Sequence, residues 1–283
     1  MYSSRRTFLT ALAAGAAAGP LLASMNPEES SAARSAAPAK TIPVALVQSD
    51  SVAGEIERNL DNMQRLTEEA AKGGAKWIQF HELTVCDYVD KAGEIAEAVP
   101  EGKSTTRMIG LARRLDVMIA FSLAEKDRGR MYDSLVFVGP QGLLHRYHKT
   151  WLWRQPNDWD YRDEWARYDP GRGPEPFDID GVRATCFICA DCHSKRCIHR
   201  AAALKPQVVF FPINKRLSVL KDYIKIAKTI GAPVLVTNRV GRSVTHETLG
   251  GNLVLSAQGK ILARANGEGR EEILHHNLEI PAA

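Results

Sequence analysis

The alternation of apolar runs and amphipathic stretches predicts a β-α-β unit at the start of the folded region. Ile42 to Gln48 is a short β-branched apolar run, which is typical of a buried strand. From Ile56 to Ala70 apolar residues recur at helical spacing, and Gly73-Gly74 ends that pattern. Trp77 to Phe80 then predicts a second strand. Such a unit implies parallel strands joined by a right-handed crossover.

The rest of the chain mixes hairpin patterns with further α/β patterns. The hairpins are predicted for Ser134–Val138 with Leu143–Tyr147, around a Gly139 to Gly142 turn, and for Leu253–Ser256 with Ile261–Ala265. The other predicted strands are Val117–Leu123, Ala184–Ile188, Val208–Phe211, Val234–Thr237 and Glu272–Leu278. The other predicted helices are Thr105–Arg114, Ser194–Leu204 and Leu217–Ile230. We therefore expect an α/β protein with mixed sheets.

The first forty residues follow a different pattern. Ser4-Arg5-Arg6-Thr7-Phe8-Leu9 precedes a weakly apolar Ala/Gly/Leu run to Ala23, which resembles a twin-arginine export signal; a disordered tail or an N-terminal anchor is the alternative. Met25 to Lys40 is rich in Ser, Ala, Pro and Glu, as linkers are. We thus expect a signal peptide and linker over residues 1–40, one domain over residues 41–283, and a periplasmic or secreted protein.

The composition and charge limit the classes of binding partner that we expect. The chain has 283 residues, of which 45% are apolar and 25% charged, as in ordinary globular proteins. Its formal charge of +4 comes from interspersed residues of both signs, which does not favour nucleic acid as a partner. No later segment approaches the roughly 18 consecutive apolar residues of a transmembrane helix, so we expect no stable membrane insertion after processing.

Three reactive side chains each follow an apolar strand. They are Glu82, Lys149 and Cys189. A second carboxylate, Glu164, precedes Asp169-Pro170-Gly171. Side chains at strand ends can be aimed by loops into one shared pocket. A thiol attacks as its thiolate, and a free cysteine titrates near pH 8.5, so Cys189 needs a neighbouring base or positive charge. Glu82 and Lys149 are the residue types that supply these.

The order of these motifs resembles the nitrilase (carbon-nitrogen hydrolase) superfamily. The shared features are the Glu after a strand, Tyr147-x-Lys149, Cys189-x-Asp191 after Gly181-Val182, and the run from His246 to Gly251 before a hairpin. The resemblance implies a four-layer α-β-β-α sandwich, commonly a homodimer or higher homo-oligomer. It also implies hydrolysis of a non-peptide C–N bond in a small amide or carbamoyl compound without metal or organic cofactor; nitrile cleavage is the alternative within the superfamily.

The resemblance also implies a role for each site residue. Cys189 would be the nucleophile and Glu82 the general base, while Lys149 and the backbone N–H of Ala190 would hold the oxyanion. Glu164 would fix the Lys149 ammonium and hydrogen-bond the substrate amide. Substrate-binding candidates are Tyr88 and Trp153, within a possible aromatic wall that adds Trp151, Trp159 and Trp165.

Several residues depart from the family pattern or have another interpretation. His81 stands where a Pro commonly precedes the glutamate, Ser194-Lys195-Arg196 replaces a common Phe-Pro-Glu, and Trp151 replaces a common His. Asp191 is expected to cap the helix that follows it. These departures affect the pocket wall more than the chemistry.

A cysteine cluster supports a competing class of protein. Cys186, Cys189, Cys192 and Cys197 have spacing close to that of a bacterial ferredoxin, so a periplasmic metal or iron-sulfur protein is the main alternative. If Ala184–Ile188 is a strand, Cys186 and Cys189 point to opposite faces, which argues against it. A catalytically inactive binding protein on the same fold is a third possibility.

Overall fold

The computed structural model describes residues 40–154, 163–216, 219–244 and 246–281. The helices are α1 (Ile56–Lys72), α2 (Ala92–Ile95), α3 (Lys103–Leu115), α4 (Lys195–Ala203) and α5 (Leu220–Ile230). Strands of the first half are β1 (Lys40–Gln48), β2 (Trp77–Gln79), β3 (Met118–Asp127), β4 (Arg130–Gly139) and β5 (Gly142–His148). Those of the second half are β6 (Phe177–Ile179), β7 (Val182–Cys186), β8 (Val208–Pro212), β9 (Val234–Thr237), β10 (Val240–Arg242), β11 (Glu247–Leu249), β12 (Leu253–Leu255), β13 (Ile261–Arg264) and β14 (Glu272–Ile280).

Two six-stranded mixed sheets form the centre of the molecule. The first has the order β14-β1-β2-β3-β4-β5, and the second β13-β12-β9-β8-β7-β6. In the first, β1, β2 and β3 run parallel, as the β-α-β pattern predicts. In the second, β7, β8 and β9 run parallel, and a hairpin of β12 and β13 adds antiparallel strands. Both sheets are therefore mixed.

The sheets pack face to face with helices on both outer sides. Alternate residues of β1 enter different cores: Val44 and Leu46 join the core between the sheets, while Ala45 and Val47 join the core beneath α1 and α3. Trp77 of the first sheet packs on Phe210 of the second, with ring centroids 5.7 Å apart. Helices α4 and α5 cover the second sheet. The predicted α-β-β-α sandwich is confirmed.

Most predicted elements are present, and one boundary error affects the site. The strand predicted to reach Ile188 ends at Cys186, and Cys189 begins a 3-10 helix, Cys189–His193. The argument from opposite faces of a strand therefore does not apply to Cys189. Helix α5 begins at Leu220, while the predicted start, Leu217, lies outside the described residues. The pattern did not predict α2, β6, β10 or β11, which have three or four residues each.

The predicted export signal and linker end where the described residues begin, so the leader stays a prediction. In the part of the chain that the structure describes, no helix combines the length and apolar character needed to cross a bilayer.

Candidate active site

A buried lysine between two glutamates forms the centre of the site. Glu82 follows β2, Lys149 follows β5, and Glu164 begins a 3-10 helix, Glu164–Ala166. The Lys149 Nζ donates hydrogen bonds to Oε1 of Glu82 and to Oε1 of Glu164. All three side chains are at most 1% exposed. Because unpaired buried charges are costly, this pairing is what allows three ionisable groups to lie beneath the surface.

A third carboxylate, Asp133, was not predicted from the sequence. It lies on β4, its Oδ2 is 3.5 Å from Lys149 Nζ, and its Oδ1 accepts a hydrogen bond of 3.0 Å from Ser122. Its backbone carbonyl accepts the Lys149 N–H at 2.9 Å. Burial raises the pKa of Asp133 to about 8, with the adjacent Glu82 adding to the shift and Lys149 opposing it. Asp133 thus retains a proton near neutral pH, which limits the negative charge around the lysine.

Cys189 is presented to this group in a constrained backbone conformation. Its φ of 39° is in the left-handed region, which non-glycine residues rarely adopt, and its side chain is 6% exposed. Its thiol lies beside the Glu82 carboxylate and the backbone of Asn214. Burial raises the pKa of the Cys189 thiol, which Lys215 and Lys149 oppose. The resting residue is therefore a thiol next to a proton acceptor.

Asp191 joins the cysteine segment to the lysine segment. Its Oδ2 accepts from the Ile188 N–H at 2.8 Å and from the Tyr147 hydroxyl at 2.8 Å. Its Oδ1 accepts from the N–H groups of Thr150 at 2.9 Å and Trp151 at 2.6 Å. These donors flank Cys189 on one side and Lys149 on the other. The carboxylate therefore sets the relative position of nucleophile and lysine.

The prediction that Asp191 caps the next helix is wrong. The N-cap of α4 is Ser194, whose Oγ accepts the Cys197 N–H at 3.3 Å. A carboxylate engaged by four donors across the two segments has no free oxygen for that purpose. Ser194 thus has a structural role where the family pattern has Phe.

Replacing Asp191 by Ala is expected to lower both stability and activity. The change removes the acceptor of two buried donors, the Ile188 N–H and the Tyr147 hydroxyl, and of two part-buried backbone N–H groups; one buried donor left unpaired costs about 1–3 kcal/mol. We expect a loss of about 3–5 kcal/mol in the free energy of unfolding, measured by urea denaturation. The Ser194→Ala variant, which removes only a cap, should lose about 1 kcal/mol. Equal losses in the two variants would contradict the connecting role.

Glu164 is positioned by its own loop and by Tyr88. Its Oε2 accepts the Trp153 N–H at 2.6 Å, and its Oε1 accepts the Tyr88 hydroxyl at 3.1 Å. The Trp153 ring is 41% exposed and lies 6.1 Å from the His193 ring. Tyr88 is thus adjacent to the site, while the backbone of Trp153 is what contacts Glu164.

The other members of the expected aromatic wall are less enclosed. Trp151 and Trp165 are 49% and 56% exposed. The Trp165 indole donates to the Leu152 carbonyl at 3.0 Å, so it contacts the loop before the site. Trp159 lies outside the described residues.

Comparison with known proteins shows the family of this chain. Residues 43–282 match the family model for carbon-nitrogen hydrolases. The chain belongs to the carbon-nitrogen hydrolase family. It is 29% identical to a nitrilase of Pyrococcus abyssi over 82% of this chain and 87% of that protein. It is 33% identical to an omega-amidase of Xenopus tropicalis over 78% of this chain and 83% of that protein. The protein is therefore a carbon-nitrogen hydrolase enzyme.

A solved structure shows the same fold. An amidase from Nesterenkonia sp. superposes with a TM-score of 0.74 at 19% identity, covering 84% of this chain and 90% of that one. This similarity supports the nitrilase-like architecture of the described residues.

The departure at His81 has a structural explanation in this carbon-nitrogen hydrolase. Burial lowers the pKa of His81 to about 3, so the ring is neutral. Its Nδ1 lies 2.9 Å from the Glu82 carbonyl, which can only accept, so Nδ1 carries the proton and donates. The histidine therefore fixes the backbone of the glutamate that it precedes.

Gly171 is required beside the lysine. Its N–H donates to the Lys149 carbonyl at 2.8 Å. A Cβ at this position would lie 2.1 Å from the His148 carbonyl oxygen, which the backbone cannot accommodate. The close approach explains the Pro170-Gly171 motif.

The described residues give no support to a metal site made of cysteines. Their sole group of three side chains arranged to hold a metal is Glu82, Asp133 and Glu164. The Lys149 ammonium already lies among those carboxylates. A cation would have to displace it.

Proposed function

We propose that this carbon-nitrogen hydrolase cleaves a non-peptide C–N bond of a small amide or carbamoyl compound through a thioester on Cys189. The observation that carries the proposal is the convergence of three buried side chains: the Cys189 thiol lies beside Glu82, and Glu82 accepts a hydrogen bond from the Lys149 ammonium. A nucleophile, a proton acceptor and a fixed positive charge are the groups that acyl transfer requires.

In the first step Glu82 accepts the thiol proton while the sulfur attacks the carbonyl carbon. The carbonyl oxygen becomes negatively charged, and Lys149 and the Ala190 N–H are the donors proposed to stabilise it. Ala190 is the second residue of a 3-10 helix, where backbone N–H groups lack helical partners. Because the donors are fixed before reaction, little reorganisation is required.

In the second step the tetrahedral intermediate collapses and the C–N bond breaks. Glu82 returns its proton to the departing nitrogen, which leaves as ammonia or an amine, and the acyl group remains on Cys189. Glu82 then accepts a proton from water, whose hydroxyl attacks the thioester carbon. Release of the acid returns the proton to the sulfur, so the enzyme is regenerated.

The proposal assigns Glu164 to positioning. Its carboxylate is engaged by the Lys149 ammonium, the Tyr88 hydroxyl and the Trp153 N–H. It therefore holds the lysine in place and offers an acceptor lone pair to a substrate amide N–H. Its like charge also contributes to raising the pKa of Glu82, after the larger effect of burial, which makes Glu82 a better acceptor.

Ammonia release from a panel of substrates tests this proposal. We expect turnover of primary amides or carbamoyl compounds, detected as ammonia, and a mass increase equal to the acyl group on the peptide that contains Cys189. Nitriles of the same carbon skeletons are the comparison. Turnover of nitriles alone would replace the amidase proposal by a nitrilase one, and ammonia release without an adduct in rapid-quench samples would contradict the thioester.

A further inference from the structure

A second lysine, Lys215, lies beside the nucleophile. It follows β8, which runs parallel to β7, the strand that leads to Cys189. In the same segment the Ile213 carbonyl accepts the Glu82 N–H at 3.4 Å. The Asn214 backbone lies beside the Cys189 thiol. The segment that carries Lys215 therefore lies between the proposed base and the nucleophile.

The Asn238 side chain forms two hydrogen bonds with the backbone of Lys215. The Asn238 Oδ1 accepts the Lys215 N–H at 3.1 Å, and its Nδ2 donates to the Lys215 carbonyl at 3.0 Å. Asn238 is fully buried and is itself fixed by Asn252, whose Oδ1 accepts its N–H at 2.7 Å. These two hydrogen bonds to one buried side chain fix the position of the Lys215 backbone.

Among the described residues, the Lys215 ammonium contacts two side chains of the 3-10 helix that begins at Cys189. Its Nζ is 3.2 Å from Cys192 Sγ and 3.5 Å from His193 Nε2. Burial raises the pKa of the Cys192 thiol and lowers that of the His193 imidazole, so neither is charged near neutral pH. Lys215 forms no ion pair with a carboxylate in the part of the chain that the structure describes, which contrasts with the two glutamates that pair with Lys149.

The Lys215 ammonium is half-buried and has no carboxylate partner among the described residues, so a bound anion could supply the negative charge that its surroundings lack. An ammonium has three donors, and the two neutral neighbours cannot supply a negative charge. We infer that Lys215 is an anion-binding subsite beside Cys189, and that the preferred substrates are small amides or carbamoyl compounds that carry a carboxylate. This inference rests on the proposed function.

The first experiment compares two substrates that differ only in charge. Glutaramate carries a carboxylate at the far end from its amide, and pentanamide has the same chain length without it. We expect the wild-type kcat/KM for glutaramate to exceed that for pentanamide by about 10-fold or more, since bonds to charged groups have this magnitude. Lys215→Met should lower the ratio of the two values by about 10- to 100-fold, chiefly through KM for glutaramate, and Lys215→Arg should retain most of it.

Lys195→Met is the matched control. Lys195 is exposed, begins α4 and lines the same cavity as Cys192 and His193, so the substitution removes a nearby positive charge and leaves Lys215 in place. The ratio should not change in this variant. An unchanged ratio in Lys215→Met would overturn the subsite. Equal loss on both substrates would overturn it too, because a lysine that acts only on the thiolate accelerates both alike.

Alkylation of Cys189 tests the subsite independently of hydrolysis. Iodoacetate is an anion and iodoacetamide is neutral, and both transfer a carbon to sulfur with loss of iodide. Relative to a free thiol such as N-acetylcysteine, wild-type Cys189 should favour iodoacetate by about 10-fold, and Lys215→Met should lose that preference. The wild-type measurement stands even if the variant fails to fold.

The two failures can be distinguished. If neither amide is hydrolysed while iodoacetate is still favoured, the proposed function fails and the subsite stands. If both amides are hydrolysed and neither assay shows a preference for the anion, the proposed function stands and the subsite is overturned.

Discussion

Replacing Cys189 by Ala is expected to reduce amide turnover by about 10⁴-fold or more while the protein remains folded. The thiol is the one group beside Glu82 that can form a covalent acyl intermediate in the described site. The residue is small and almost buried, so removing its sulfur should cost about 1 kcal/mol of stability. Ammonia release and thermal unfolding measure the two effects.

Cys197→Ala is the matched control for this variant. Cys197 is also buried, at the start of α4, with its Sγ 4.0 Å from Asp191 Oδ1. It takes no part in the proposed chemistry, so kcat should stay within about 3-fold of wild type. Loss of turnover in both variants, together with stoichiometric zinc or iron that activity requires, would restore the metal interpretation of the cysteine cluster.

The hydrophobic pattern predicts the sheets well because both faces of their central strands are buried. Runs such as the one from Ile42 to Gln48 are short, β-branched and bounded by polar residues. The same pattern fails after Cys186, because Phe187 and Ile188 are fully buried although they lie outside the strand. Apolar character reports burial there, and it does not mark where the hydrogen-bonded ladder ends.

Part of the site could be predicted from the sequence for a related reason. Glu82, Lys149 and Cys189 follow strands, so their convergence can be inferred from parallel and antiparallel neighbours. Asp133 is inside β4, where a single acid between Tyr132 and Ser134 gives no local signal. Only the pairing of β4 with β5, which places the Asp133 carbonyl on the Lys149 N–H, shows that it faces the lysine.

Asp191 shows the same limit at longer range. Local chemistry favours a helix cap for an aspartate near a helix start. Its partners Tyr147, Thr150 and Trp151 are instead about forty residues away and reach it only after the sheets pack. A function that depends on contacts between two sheets cannot be inferred from spacing along the chain.

The second large effect separates proton transfer from positioning, and it concerns Glu82 and Glu164. Glu82→Gln removes the acceptor for the Cys189 proton, so almost no thioester should form. Glu164→Gln keeps the shape but turns one acceptor oxygen into a donor amide. That amide must face either Lys149 or the Trp153 N–H, both of which are donors. The lysine is then misplaced, and kcat should fall by about 10²-fold.

Mass spectrometry during turnover distinguishes the two variants. Glu164→Gln should accumulate an acyl adduct on Cys189 slowly, whereas Glu82→Gln should show none over the same time. Glu94→Gln, an exposed carboxylate at 69% side-chain exposure, controls for the loss of one negative charge and should behave as wild type. An adduct that forms at the wild-type rate in Glu82→Gln would remove Glu82 as the base. Wild-type kinetics in Glu164→Gln would show that the lysine keeps its position through Glu82 and Asp133 alone.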